Sequence, residues 1–443
     1  MKIFITIWFG QFISRIGTAM TRFALLIWAY EQTGSATTVA LLGFFSFVPL
    51  VAISPLAGVW VDRLDRRKIM LLADTGAGLT TIVIFLLYLS GGLQIWYLYL
   101  AQALAGAFEA FQAPAYTAAS SLLLSKKDYA RANGLRSMAN SGAEVIAPFA
   151  AGALLVAVGI GGVMLLDVVT FFVALLTLLL VRIPRLTEDP PRSTAPAFQG
   201  FRQEMQAGLS TIWARPGLRG LTFIAAGMSF FGALTWFSIL PAMILARTGG
   251  DELAVAYVHG ALGAAGVAGA LLISLWGGPK RKIHGVLLGA ALSFACGDLL
   301  FALGQNLFTW VVAACLGSFF IPFVTSSSEA IWQSKTQPAV QGRVFAVKQM
   351  LINAAMMLGY LLGGILADTW FEPAMMPGGA LVTWWGRLIA PGPGGGMAVM
   401  FLLTAVAGSV ISLAGYLIPT LRTIEEDLPD YDYELRPVAV GPI

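Results

Sequence analysis

Charge is scarce in this chain. Asp, Glu, Lys and Arg make up only 11% of its 443 residues, against roughly 25% in an ordinary soluble domain. Apolar residues reach 58%, and the mean hydropathy is +0.79. A soluble fold of this length has too little interior to keep that much apolar surface from water, so the composition excludes one and points to the bilayer as solvent. Cysteine is almost absent. Cys296 and Cys315 both fall in apolar runs, which excludes a disulfide framework and gives no metal-ligand spacing. The only histidines, His259 and His284, stand far apart and offer no proton relay. No G-x-x-x-x-G-K-[ST] phosphate loop and no nucleophile–base constellation occurs, so ATP-driven pumping and enzymatic activity are not expected. No cofactor is indicated. The formal charge of +4 would suggest nucleic acid in a soluble protein, but here the basic residues have a topological explanation and no nucleic-acid partner is expected.

Apolar runs long enough to cross ~30 Å of hydrocarbon recur along the chain. We place them at roughly 3–30, 36–61, 69–90, 94–123, 132–158, 160–182, 218–245, 253–276, 283–303, 307–333, 343–367 and 397–420. The run beginning at Ile3 outlasts the apolar region of a signal peptide and is read as the first span. The expected fold is an all-α membrane protein of twelve transmembrane helices in two six-helix halves. Residues 1–182 form the first bundle, 183–217 a polar, proline-containing linker, 218–420 the second bundle and 421–443 an acidic tail expected to be flexible. The stretch 368–396, rich in Gly, Pro and Trp, is read as an ordered external loop.

Basic residues test this layout. Arg63, Arg66, Arg67 and Lys68 follow the second span, Lys126, Lys127, Arg131 and Arg136 the fourth, Lys280–Lys282 the eighth, and Lys335, Arg343 and Lys348 flank the tenth connection. The alternate loops hold only Arg247 and Arg387. Under the positive-inside rule this alternation puts both termini in the cytoplasm, with each span crossing once.

The segment Gly58-Val59-Trp60-Val61-Asp62-Arg63-Leu64-Asp65-Arg66-Arg67-Lys68 resembles the loop 2–3 signature of the major facilitator superfamily, G-x-L-a-D-R-x-G-R-[RK], and sits where that family carries it. Asp65 stands in place of a glycine, so the turn is expected to be made differently. Phe23–Ser35, Ile331–Gln349 and Gly359–Pro373 are similar to the drug-efflux branch that contains macrolide and siderophore exporters. The resemblance implies the major facilitator fold, alternating access and a cavity formed mainly by spans 1, 4, 7 and 10. It also implies a cytoplasmic gate involving Gly58, Asp62, Arg63, Arg66 and Arg67, to which Asp74 at the start of span 3 is added. The antiporter pattern of span 5 is reduced to Pro148 and Gly152.

Charge inside the hydrocarbon is costly and marks a site to be explained. Gln11, Arg15, Thr18 and Arg22 lie at steps of four, three and four on span 1, and Gln102, Glu109, Gln112 and Tyr116 stripe span 4. Ser137, Asn140 and Glu144 do the same on span 5. We expect Arg15 and Arg22 to face Glu109 and Glu144 near the midplane, as a proton or substrate pathway or as a structural ion pair. Asp167 and Asp298 are read as acids near the outer ends of their spans, open to water. Phe231, Trp236, Ser328 and Glu329 are further candidates for the pathway.

The expected function is export of small amphipathic molecules by proton antiport, from a monomer in lipid, in a plasma membrane that is the inner membrane of a bacterium. A lipid or lysolipid flippase of the same superfamily and a membrane sensor or scaffold are the alternatives.

Overall fold

A computed structural model describes residues 2–63, 65–124, 129–181, 197–337 and 340–431. Its elements are helical throughout. Four long helices open the chain: α1 (Lys2–Thr33), α2 (Ala36–Arg63), α3 (Arg66–Leu89) and α4 (Ile95–Leu123). The next, α5 (Tyr129–Leu180), is broken at Gly159, whose φ of 67° a side chain would resist. Phe12 lies over Gly142 and Trp8 donates to the Leu135 carbonyl on the first arm, whereas Gly17 faces Thr170 and Gly10 faces Thr177 on the second. Residue numbers therefore rise together along α1 and the first arm and oppositely along the second, so α5 is a helical hairpin wrapped on α1.

A short helix, α6 (Ala197–Trp213), occupies part of the stretch read as a linker. Its Ile212 is buried, and Gly208 lies against the backbone of Arg343. The remaining spans are α7 (Pro216–Thr248), α8 (Glu252–Trp276), α9 (Lys282–Leu303), α10 (Leu307–Lys335), α11 (Gln341–Met375) and α12 (Gly395–Leu417). Ten helices among the described residues are long and apolar enough to cross a membrane. That set omits α4, which is 29 residues long but interrupted by Gln102, Glu109 and Gln112. It also takes the hairpin α5 as one. Adding α4 and dividing α5 at Gly159 gives twelve helical passes.

Three spans widen locally into π-turns, at Ala233–Phe237 in α7, Ser293–Asp298 in α9 and Ala367–Phe371 in α11. Such turns often occur at functional positions. Here they hold Trp236, Asp298 and Asp368.

The turn before α3 is made by Asp65. Its extended backbone (ψ 113°) places the carboxylate to accept from the Arg67 amide at 3.0 Å, an ordinary N-cap in the place of the expected glycine. Arg67 then reaches the carbonyls of Leu178 and Leu179 at the end of α5 (3.3 and 2.8 Å), which complements the negative end of that helix.

The helices before and after α6 meet at the end away from the basic loops. On α8, Ala256, Gly260 and Gly263 form a small-residue stripe that receives Gly152, Phe149 and Val145 of α5. On α11, Gly364 lies against Ala36, Thr37 and Ala40 of α2, and Tyr360 covers Gly43. Asp368 ties the same pair. It accepts from the Ser35 hydroxyl (2.6 Å) and from the amides of Ala36 (3.1 Å) and Thr37 (2.8 Å), capping α2 from the opposite half of the chain.

The acidic tail is packed through Tyr431. Leu421 and Ile424 are buried, and Glu425 caps α9 at the amides of Lys282 and Ile283 (both 3.0 Å). The buried Lys335 donates to the carbonyls of Glu425 and Leu428 and pairs with Asp430 at 2.9 Å. Expected flexibility gives way here because two apolar side chains and a buried ammonium hold the segment down.

Candidate functional site: a polar cavity in the first half

The stripes on α1 and α4 face one cavity of about 410 Å³. Its polar wall includes Gln11, Ser14, Arg15, Thr18, Thr21 and Arg22 from α1, Asp74, Thr80 and Thr81 from α3, Gln102, Glu109 and Gln112 from α4, and Asp167 from the second arm of α5. A smaller void of about 180 Å³ shares Gln11, Arg15 and Glu109 and continues toward Trp8 and Tyr116.

Two hydrogen-bonded groups organise the wall. Arg22 pairs with Glu109 at 3.2 Å, the two side chains 40% and 36% exposed, so this pair faces the open space. Toward the basic end, the Gln11 amide donates to Asp74 Oδ2 at 2.7 Å. Gln112 donates both to Asp74 Oδ1 and to the Gln11 carbonyl. Asp74 is thus a buried carboxylate with both oxygens occupied by neutral amides. Its place is eight residues into α3, ~12 Å from the loop, in the wall of the cavity.

Asp167, near the outer end of its span by sequence position, is buried at 2% exposure rather than open to water. Thr18 donates to its Oδ1 at 3.1 Å, while Oδ2 and the nearby Thr21 hydroxyl are buried without a hydrogen bond. The signal was present in the sequence. Asp167, Thr170, Phe171 and Ala174 repeat at helical spacing, as do Thr18 and Thr21 opposite them.

Other sequence candidates lie elsewhere. Trp236 does not line this cavity: its indole donates to Asp298 Oδ1 at 2.5 Å, and Thr404 donates to Oδ2 at 2.6 Å. Asp298 is fully buried, so this acid too is sealed from water, as a tie between α7, α9 and α12. Phe231 sits edge-on to Phe294 with centroids 6.2 Å apart. Glu329 pairs with Lys348, whose ammonium lies 5.5 Å from the Trp332 ring and 5.3 Å from Phe345, while Ser328 beside it is half-buried. The side chains of Gly58, Asp62, Arg63, Arg66 and Glu144 fall outside the described residues. Among the described residues no cluster of His, Cys, Asp or Glu is placed to hold a metal ion.

A bundle of apolar helices with a polar cavity in one half, and with small-residue seams joining the halves, is the architecture of membrane transporters with duplicated bundles. The sequence profile of the Major Facilitator Superfamily matches residues 7–297. The chain belongs to that superfamily. It is a multi-pass membrane protein of a transporter family. It is 28% identical over 373 residues to macrolide efflux protein A of Streptococcus pyogenes, covering 82% of this chain and 89% of that protein. It is 24% identical over 367 residues to the multidrug efflux pump Tap of Mycolicibacterium fortuitum (81% and 88%). Among solved structures, a bacterial homolog of the human lysosomal transporter Spinster in its inward-facing form superposes with a TM-score of 0.66 at 17% identity, over 96% of this chain and 98% of that one. At that identity the likeness is one of fold.

The walls of this cavity come from α1, α3, α4 and α5, with no residue from α7 or α10.

Proposed function

We propose that this protein is a secondary exporter of amphipathic small molecules in a bacterial plasma membrane, working by alternating access and driven by inward proton flow. Both efflux relatives support the substrate class, since each is similar over more than four-fifths of this chain. The observation that carries the coupling is the cavity: buried carboxylates and guanidinium groups face a common space at bilayer depth, where an ionisable group is costly without a function. The halves touch at the end away from the basic loops, through the α2–α11 and α5–α8 seams. We read this as the state closed to the exterior, with both termini cytoplasmic. Rocking about these seams would expose the substrate path to each side in turn, and the protein would work as a monomer.

The test is efflux from a drug-sensitive bacterial host. Expression should lower accumulation of amphipathic cations and macrolides across a panel, and a protonophore should abolish the difference. Equal accumulation with and without expression, for every compound, would remove the export reading. Export that persists after the proton gradient is collapsed would remove only the coupling.

A further inference from the structure

The proton-antiport reading leaves open which group carries the proton. Glu109 is held by Arg22 at 3.2 Å, and both oxygens of Asp74 accept amide hydrogens. Those two carboxylates are already satisfied in their charged forms. Asp167 is different. It is 2% exposed, its Oδ1 takes a single hydroxyl hydrogen bond and its Oδ2 takes none. Among the described residues no arginine or lysine nitrogen lies within ion-pair distance of it. The Thr21 hydroxyl in the same cavity wall also lacks a partner. A carboxyl that gains a proton on Oδ2 acquires a donor where an acceptor alone stood, and both orphaned atoms then have something to bond. A buried, unsatisfied polar atom costs free energy, so a proton on Oδ2 has a structural role here that it lacks at Asp74 and Glu109.

The surroundings fit a proton better than a drug. Every wall residue of the cavity comes from the first half, so rocking of one half against the other neither builds nor empties it. Its polar wall of hydroxyls, amides and charged groups gives a proton a path along water and side chains. The charged groups that share the space are Arg15 and Arg22 from α1, Asp74 from α3 and Glu109 from α4. Arg22, one turn beyond Thr18, stands where a change in the charge of Asp167 would be felt by the Arg22–Glu109 pair.

We propose that Asp167 is the proton-carrying group of the transport cycle, loaded and unloaded through the cavity lined by α1, α3, α4 and α5. The assignment rests on the proton-antiport reading above. Exchanged ligands oppose one another in binding, and the opposition is reciprocal. Substrate should therefore bind more weakly as pH falls, by up to about tenfold per pH unit once the carboxyl is protonated.

The experiment is the pH dependence of ethidium or erythromycin affinity for the purified protein, with proton release on binding read in weak buffer. Wild type should show the fall in affinity and release a proton. Asp167→Asn should bind with a pH-independent Kd and release none. Asp167→Glu should restore the pH dependence with a displaced midpoint. If Asp167→Asn does not fold, Asp167→Glu and Thr21→Val decide the matter, and an unmoved midpoint in both overturns the assignment. A wild type whose affinity ignores pH would instead defeat the antiport reading. A pH-dependent wild type matched by an equally pH-dependent Asp167→Asn defeats the role of Asp167 alone.

Discussion

Buried polar side chains in this protein fall into two kinds, distinguished by their partners. Asp298 has both oxygens occupied, by Trp236 and Thr404, and is closed off from any passage. It ties helices. Trp236→Phe should strand one carboxylate oxygen and lower stability by about 1–3 kcal/mol. The melting temperature in detergent reads this, and an unchanged value would contradict the structural assignment. Asp74 is held by Gln11 and Gln112. Gln11→Leu removes one donor from a buried carboxylate, with an expected loss of about 1–3 kcal/mol. Asp74→Asn in the same background should recover part of it, because a neutral amide suffers less from the missing donor. Failure of that rescue would mean that packing, not charge, sets the cost. The stripe rule found Gln11, Arg15, Arg22, Glu109 and Gln112 from sequence, because residues at steps of three and four share a helix face. It did not assign Asp74 and Asp167 to the same space, since which helices adjoin α1 is a tertiary fact. Sequence position alone made Asp167 look solvated, whereas the packing of α5 back along α1 buries it.

At the scale of elements, the seams depend on backbone approach. A Cβ at Gly364 would lie 2.5 Å from the Thr37 Cα, and one at Gly260 would meet the Phe149 ring. Gly364→Val should therefore hold α2 and α11 apart. Cysteines placed at this seam should cross-link more slowly in the variant, and an equal rate would show that the seam yields freely. Asp368 adds polarity to the same contact by capping α2. Asp368→Ala should cost about 0.5–2 kcal/mol of that closed arrangement. Labelling of a cysteine facing the cavity from the exterior should rise, and labelling at the wild-type rate would contradict the role. Helix number and order were legible from apolar run length and basic-loop alternation. The π-turns carrying Trp236, Asp298 and Asp368 were not, because a single inserted residue leaves no mark on hydropathy. Nor was the packed tail: the acids at Glu425 and Glu426 suggested a solvated end, while the helix terminus and the buried Lys335 that hold it lie far off in sequence.

Considered whole, the molecule has an uneven distribution of polarity. The first half lines a cavity with several ionisable groups, and the second half satisfies its buried acid internally at Asp298. That asymmetry suits a division of labour in which one half handles the coupling ion while the surface between the halves handles substrate. Coupling of a few kcal/mol between the two is enough to reverse the preferred orientation. The most direct measurement of the whole account uses purified protein in liposomes with an imposed pH gradient and a fluorescent amphipathic substrate. Substrate should accumulate against its own gradient on the acidic side, and a protonophore should stop it at once. Accumulation that is blind to the pH gradient, or that occurs only down the substrate gradient, would contradict proton-driven export.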